Sequence, residues 1–252
     1  GAMDAALLTV GDELLAGDIE NTNATWIARR LADRGVTLAR IAVVPDDVDV
    51  IADYVRSFSE DFDAVVVTGG LGGTPDDLTM DGVAAAFDRP LSVNEAARED
   101  IERTVEAIAD EYPDIDLNVE RHASIPEGAR PLLNTDGLSP GCVVENVYVT
   151  PGIPREMKAM FEGVADEFAG DRVTRTLRTS MVEGEVTPML EDAREDLPAV
   201  SLGSYPSRGA EHNRIKITAE DEAALDDAEA WLREHVDIVE EAPGEGDDGD
   251  GE

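Results

Sequence analysis

Phe62-Asp-Ala-Val-Val-Val67 runs directly into Thr68-Gly-Gly-Leu-Gly-Gly-Thr-Pro-Asp-Asp-Leu-Thr79, and this junction decides how the chain is read. An apolar run of strand length that opens into glycines is the pattern of a strand ending in a ligand-sized loop. Gly69, Gly70, Gly72 and Gly73 let the backbone turn tightly and bring bare N–H groups up to an anion. Asp76 and Asp77 follow at once, and their carboxylates repel what the glycines attract. A phosphorylated ligand here therefore needs a metal ion or a well-placed proton between them. The ordinary use of the same segment is a strand–turn–helix connection with an Asp as helix cap.

Working outward, strand-like and helix-like patterns alternate. Residues 5–10 read as a buried strand, 21–35 as a helix capped by Asn21 or Thr22 and ended by Gly35, and 36–44 as a second strand. Asp46-Asp47 precede a helix over 48–58, residues 64–67 make the third strand, and 78–87 the next helix. This βαβαβα rhythm predicts an α/β fold with a mostly parallel sheet between helices, whose ligands sit beyond the carboxyl ends of the strands. A helix over 94–112 stopped by Pro113, short strands within 126–132, 141–145 and 147–150, and a helix from Pro154 to about 168 complete a domain over 4–170. Residues 171–241 carry a βαββαβ order, the pattern of a small ferredoxin-like α+β domain. Residues 242–252 are almost all Gly, Asp and Glu and are expected to be disordered.

Charge narrows the function classes. The chain has 57 Asp and Glu against 20 Lys and Arg, a formal net charge of −37. Such a field repels nucleic acid and anionic membrane surfaces, so neither is an expected partner. Only Lys158 and Lys216 are lysines, and the acids are spread along every segment. This is the composition of a halophile's solvated surface, stabilised when salt screens the self-repulsion. Cys142 is the single cysteine, so no intrachain disulfide forms, and its apolar neighbours predict a small buried residue. His122, His212 and His235 show no metal-ligand spacing. With no leader-like stretch and no apolar run of membrane-spanning length, a cytoplasmic protein is expected.

Three loops follow the first three strands: Gly11-Asp-Glu-Leu-Leu-Ala-Gly17, Val44-Pro-Asp-Asp-Val48 and the glycine-rich segment. A doubly wound sheet brings such loops to one edge, placing Asp12, Glu13, Asp46, Asp76 and Asp77 around the glycine turn. Carboxylate oxygens beside a phosphate cradle suit a hard divalent ion. Each acid also has an ordinary role: Asp47 as cap of the helix at Val48, Asp76 or Asp77 as cap of the helix at Leu78. Thr68, Thr74 and Thr79 offer hydroxyls, and Asn21 and Asn23 can read a sugar or base or serve as caps. Pro151-Gly-Ile-Pro-Arg-Glu-Met157 forms a second anion seat at a helix start, with Arg155 as a cation and Ser139-Pro-Gly141 on the same edge.

Leu8-Thr-Val-Gly-Asp-Glu-Leu-Leu-Ala-Gly17, Asn21-Thr-Asn23, Thr68-Gly-Gly-Leu-Gly with Asp76-Asp-Leu-Thr79, Pro126-Glu-Gly128, Pro151-Gly-Ile-Pro-Arg-Glu-Met157 and Gly203-Ser-Tyr-Pro206 occur in this order. Together they resemble the amino-terminal part of the competence/damage-inducible protein A (CinA) family, within the molybdopterin-binding superfamily, over residues 4 to 240. The resemblance implies a molybdopterin-binding-like domain and a nucleotide or pterin ligand. It implies that Asp46 and Asp77 are catalytic, that Asp12, Asp46, Asp76 and Asp77 hold Mg²⁺ or Co²⁺, and that molybdopterin is a candidate ligand. Gly11, Asn23, Thr68, Gly69, Gly70, Gly72, Gly73, Thr74, Pro151 and Gly152 are the ligand and phosphate positions. The activity implied is metal-dependent hydrolysis of ADP-ribose, with binding without turnover or adenylyl transfer to molybdopterin as the alternatives. Longer bacterial members carry a nicotinamide mononucleotide deamidase domain that this match does not reach, so that activity is not carried over. Relatives in the superfamily imply a homo-oligomer. The family pattern has proline where this chain has Gly73, which loosens the loop and adds one N–H donor.

Overall fold

The computed structural model describes residues 1–206 and 212–240. The acidic tail 242–252, expected to be disordered, lies outside the described residues. The chain divides into two units, Gly1–Gly170 and Asp171–Glu252.

In the first unit, β1 (Asp4–Val10), α1 (Asp12–Leu15), α2 (Thr22–Asp33), β2 (Thr37–Val44), α3 (Val48–Asp61), β3 (Ala64–Gly69) and α4 (Thr79–Ala86) follow one another. Next come β4 (Leu91–Val93), α5 (Glu95–Ile108), α6 (Val119–His122), β5 (Ser124–Pro126), β6 (Arg130–Leu132), β7 (Gly141–Val144), β8 (Val147–Pro151) and α7 (Pro154–Val164). The main sheet has the order β2-β1-β3-β8-β7-β6. β1 pairs in parallel with β2 and β3, and β3 with β8, while β7 and β6 close the edge antiparallel. This is the expected α/β fold with a mostly parallel sheet. The chain steps from β1 out to β2 and then back to β3 on the other side of β1, which makes a topological switch at β1 and β3.

Both faces of the sheet are covered, as the continuous apolar runs of β1 and β3 require. On one face Ile51, Val55 and Phe58 of α3 and Val83 of α4 pack on Leu8, Val65 and Val67. Gly82 sits inside α4 because a Cβ there would stand 2.4 Å from Ile51 Cγ2, so glycine is what lets α3 and α4 approach. On the other face Ile27 and Leu31 of α2 meet Met157 and Phe161 of α7 over Leu7 and Val66. Trp26 adds an edge-on contact with Phe161 at 5.7 Å. Gly35 ends α2 at φ +74, a conformation that residues with a Cβ rarely adopt.

Several boundaries differ from the sequence expectation. α3 runs on to Asp61, and α5 stops at Ile108, before Pro113 is reached. Residues 124–126 pair with β4 in a separate two-stranded sheet, while 130–132 join the main one. The loop after β1 contains the helical turn α1. These are tertiary choices: apolar content sets that a short strand forms, and the partner edge sets which sheet it joins.

The second unit runs β9 (Val173–Thr179), α8 (Glu183–Asp196), β10 (Val200–Tyr205), β11 (Asn213–Ala219), α9 (Glu222–His235) and β12 (Ile238–Val239). Its sheet order is β10-β11-β9-β12, antiparallel throughout. That is the split βαβ arrangement expected from the element order. Val186, Leu190, Leu225 and Leu232 of the two helices pack on Ile215 and Ile217.

Cys142 is fully buried in β7 with its Sγ 3.6 Å from Met80 Sδ, and burial pushes its thiol up to about 12. Because the thiolate is the reactive form, Cys142 is expected to stay unmodified by Ellman's reagent in the folded protein and to react within minutes in guanidinium. Rapid labelling of the native protein would contradict this placement.

Candidate functional site at the carboxyl edge of the parallel strands

Because β1, β2, β3 and β8 are parallel, the loops that leave them share one edge. The first two are tied to each other by a reciprocal pair of bonds. The Asp12 N–H donates to Asp46 Oδ2 at 3.1 Å, and the Asp46 N–H donates to Asp12 Oδ1 at 3.0 Å. Gly11 N–H donates to Val44 O at 3.0 Å, so the pairing of β1 with β2 continues into the loops. Asp47 takes its ordinary role, accepting from Val50 N–H at 3.0 Å as the cap of α3. That leaves Asp46, half-buried, as the acid of this dipeptide that faces the edge.

The third loop is wound around Asp77. Asp77 Oδ2 accepts from the Thr74 N–H at 3.1 Å and the Thr74 hydroxyl at 2.7 Å. A Cβ on Gly70 would lie 2.1 Å from Asp77 Oδ1, and one on Gly72 2.6 Å from Asp77 Oδ2. The glycines are thus required by the close approach of this carboxylate. Asp77 is not the cap of α4, contrary to one sequence reading. Leu78 holds the cap position with no side-chain bond, since the Asp77 carboxylate is already used by Thr74. Asp76 is exposed on the loop and has no partner among the described residues. Beneath the loop, Thr9, Thr68 and Thr150 lie side by side in register on β1, β3 and β8, all buried.

The fourth loop arrives from β8. Pro151 pairs with Gly69, and Gly152 packs on the Gly69 backbone. Asn23 donates from Nδ2 to Gly152 O at 2.8 Å, which joins the start of α2 to this loop. Two buried atoms here, Asn23 Oδ1 and Thr79 Oγ1, have no hydrogen-bond partner. Arg155 turns back to Asp136, donating to its carbonyl at 2.9 Å. The loops that carry the predicted ligand positions from Gly11 to Gly152 leave one edge of the sheet, and Asp76 is exposed on one of them.

Sequence reasoning missed Arg121 and His122, which α6 delivers to the glycine loop. His122 is 8 % exposed, its Nδ1 lies 2.8 Å from Ser139 Oγ, and a Cβ on Gly73 would stand 2.7 Å from its Nε2. Arg121 reaches Asp77 O at 3.5 Å and Asp81 Oδ2 at 3.6 Å. The only local signal was Asn118, which caps α6 by accepting from Arg121 N–H.

Burial raises the Asp46 carboxyl above its usual range, the Asp12 N–H opposes this, and the charges of Asp12, Glu13 and Asp77 add to the rise. A carboxyl raised in the folded state contributes stability below the ordinary carboxylate range, and that contribution is lost as pH rises through the folded value. Ionised Asp46 is thus a cost at neutral pH. Asp46→Asn, which keeps an oxygen for the Asp12 N–H, is expected to raise the melting temperature by a few degrees at most at pH 7. The gain should vanish in acid, as read by calorimetry across pH.

Among the described residues there is no group of three or more His, Cys, Asp or Glu side chains that could hold a metal ion. The predicted four-carboxylate set is not a ready-made cage, because Asp12 and Asp46 each spend an oxygen on the other's backbone and Asp76 is exposed to solvent. The free oxygens of Asp46 and Asp77 still match what Mg²⁺ takes from a protein, one or two carboxylates completed by substrate phosphates.

Fold and site together define an α/β domain with a glycine loop wound around Asp77 beyond the ends of its parallel strands. Residues 6–170 match the family model described as "Probable molybdopterin binding domain", and residues 171–241 match that of the FAD synthase middle domain. The chain belongs to the molybdopterin-binding domain family and is CinA-like. It is 38% identical to a Pyrococcus horikoshii protein over 233 residues, covering 88% of this chain and 91% of that one. It is 40% identical to a CinA-like protein of Frankia casuarinae over 247 residues, covering 91% of this chain but 56% of that protein. The crystal structure of CinA from Thermoplasma acidophilum, described as of unknown function, superposes with a TM-score of 0.57 at 36% identity, covering 66% of this chain and 98% of that one. No described helix is long and apolar enough to cross a membrane.

Proposed function

We propose that the amino-terminal unit binds a phosphate-bearing pterin or nucleotide at this edge, the backbone N–H groups of residues 69–73 receiving the phosphate. The observation that carries the reading is the glycine loop folded around Asp77, on the same sheet edge as Asp46 and at the switch between β1 and β3. Membership of a molybdopterin-binding family supports a pterin or nucleotide as the ligand. Thr68, Thr74 and Gly11 border the phosphate, and Asn23, Pro151 and Gly152 border the rest of the molecule. Calorimetry in molar KCl with molybdopterin, ATP and ADP-ribose, each separately, tests this. Failure of all three to bind would sink it. Light scattering on the same samples reads the homo-oligomer expected of the superfamily.

Two forms of turnover rest on this binding. Adenylyl transfer predicts ATP consumption only when molybdopterin is present. Hydrolysis of ADP-ribose draws on one observation, the half-buried Asp46 carboxyl, raised by burial on the same edge as Asp77. In that reaction water attacks one phosphorus, the P–O–P bond breaks, and AMP and ribose 5-phosphate leave. Asp46 takes the proton of the attacking water, Asp77 holds the loop, and the loop N–H groups steady the charge that grows on the phosphoryl oxygens. Asp46 and Asp77 are the residues that would hold a divalent ion, and when bound it would neutralise the charge of the diphosphate. The family finding favours binding or adenylyl transfer over hydrolysis, and chromatography of the products separates the three.

A further inference from the structure

Arg121 and His122 have no part in the reading above, yet they line the same small cleft as Leu71, Gly72 and Asp77. In a chain with only 20 Lys and Arg, an adjacent Arg and His at the lip of a glycine loop need a physical reason. We propose that Arg121 and His122 form the anion-binding wall of this cleft, with His122 Nε2–H and the Arg121 guanidinium taking phosphoryl oxygens held on their other side by the loop. This rests on the binding reading above, and it answers how an acidic edge can accept an anion.

The geometry supports donors on this wall. Ser139 Oγ lies 2.8 Å from His122 Nδ1, and a hydroxyl that donates there leaves the ring proton on Nε2. Nε2 has no hydrogen-bond partner among the described residues and is turned to Gly73, where a Cβ would stand 2.7 Å away. Burial favours the neutral ring, against the smaller opposing effect of the Asp77 charge. Arg121 meets Asp81 at only 3.6 Å, with both side chains partly in water, so that pair is loose and the guanidinium is available to a ligand. Gly73 thereby gains a role: it leaves room for the imidazole at the loop.

Inorganic pyrophosphate and AMP are the probes, titrated by calorimetry into the full chain in molar KCl. Arg121→Gln and His122→Phe are each expected to weaken pyrophosphate binding about tenfold or more, in line with the loss of a charge-assisted or buried donor. His122→Gln, which keeps an N–H donor of similar reach, is expected to stay within about threefold of the parent. The Gln rescue separates contact from packing, and partly exposed Arg121 keeps the test alive should His122→Phe fail to fold. Pyrophosphate affinity unchanged in both Arg121→Gln and His122→Phe overturns the wall and leaves ligand binding standing. A parent protein that binds molybdopterin, ATP or ADP-ribose but not pyrophosphate overturns the wall alone, and one that binds none of these overturns both.

Discussion

Asp77→Ala is expected to lower affinity for the ligand of the glycine loop by about tenfold or more, because the bonds that fix the loop N–H groups are lost with it. The carboxylate is the post around which the loop is wound: Thr74 donates to it twice, and Gly70 and Gly72 close on its two oxygens. Without it the N–H groups lose their shared orientation. The loop is largely exposed, so stability should fall by only roughly 1 kcal/mol, the worth of a lost loop hydrogen bond. Asp77→Asn separates scaffold from charge. Its amide oxygen can still accept from Thr74, so binding should survive while any hydrolysis is lost. Gly70→Ala should reproduce the Asp77→Ala defect, since its Cβ would lie 2.1 Å from Asp77 Oδ1. Calorimetry and thermal melts on the three variants read this directly. Normal affinity in Asp77→Ala together with Gly70→Ala would mean that the ligand sits elsewhere.

Molar salt is expected to raise the melting temperature by about 10 °C or more over dilute buffer, the equivalent of roughly 3 kcal/mol for a chain of this size. With 57 acids against 20 Lys and Arg, 37 negative charges have no cationic counterpart. Several arginines are already engaged: Arg30 with Glu162, Arg130 with Glu167, and Arg175 with Glu222, Asp226 and Glu229. The surplus can be relieved only by counterions. Screening shortens from about 10 Å at 0.1 M to about 3 Å at 1 M, which removes most repulsion between surface neighbours. Potassium chloride and sodium chloride should act alike if screening is the cause. A melting temperature that does not move with salt would refute the halophile reading of this composition.

Much of the fold was legible because it is local. Asn21 and Asp47 cap helices through bonds to residues three positions on, and Gly35 ends α2 by its own backbone preference. The apolar runs of β1 and β3 announce strands buried on both faces, and the alternation with amphipathic helices announces parallel pairing. The βαββαβ order likewise gave the second unit. Short strands were harder. Ser124–Pro126 and Arg130–Leu132 are three residues each and both contain a proline, and the available partner edges assign them to different sheets.

The site divides the same way. The glycines, Asp46 and Asp77 could be picked out of the sequence because their chemistry is written in residue type and in position after a strand. That Asp47 would cap α3 while Asp46 bonded the Asp12 backbone, and that Asp76 would be exposed while Asp77 held the loop, depended on the path of the folded backbone. His122 carried no signal in spacing, since Ser139 and Gly73, which explain it, lie 17 and 49 residues away along the chain. By itself the sequence determined the alternation of elements, the glycine loop and the excess of negative charge, all properties of neighbours or of totals. Only the tertiary structure decided which carboxylates meet and that an arginine and a histidine stand across from them. Such pairings follow from chain segments brought together by the core, and no local pattern encodes them.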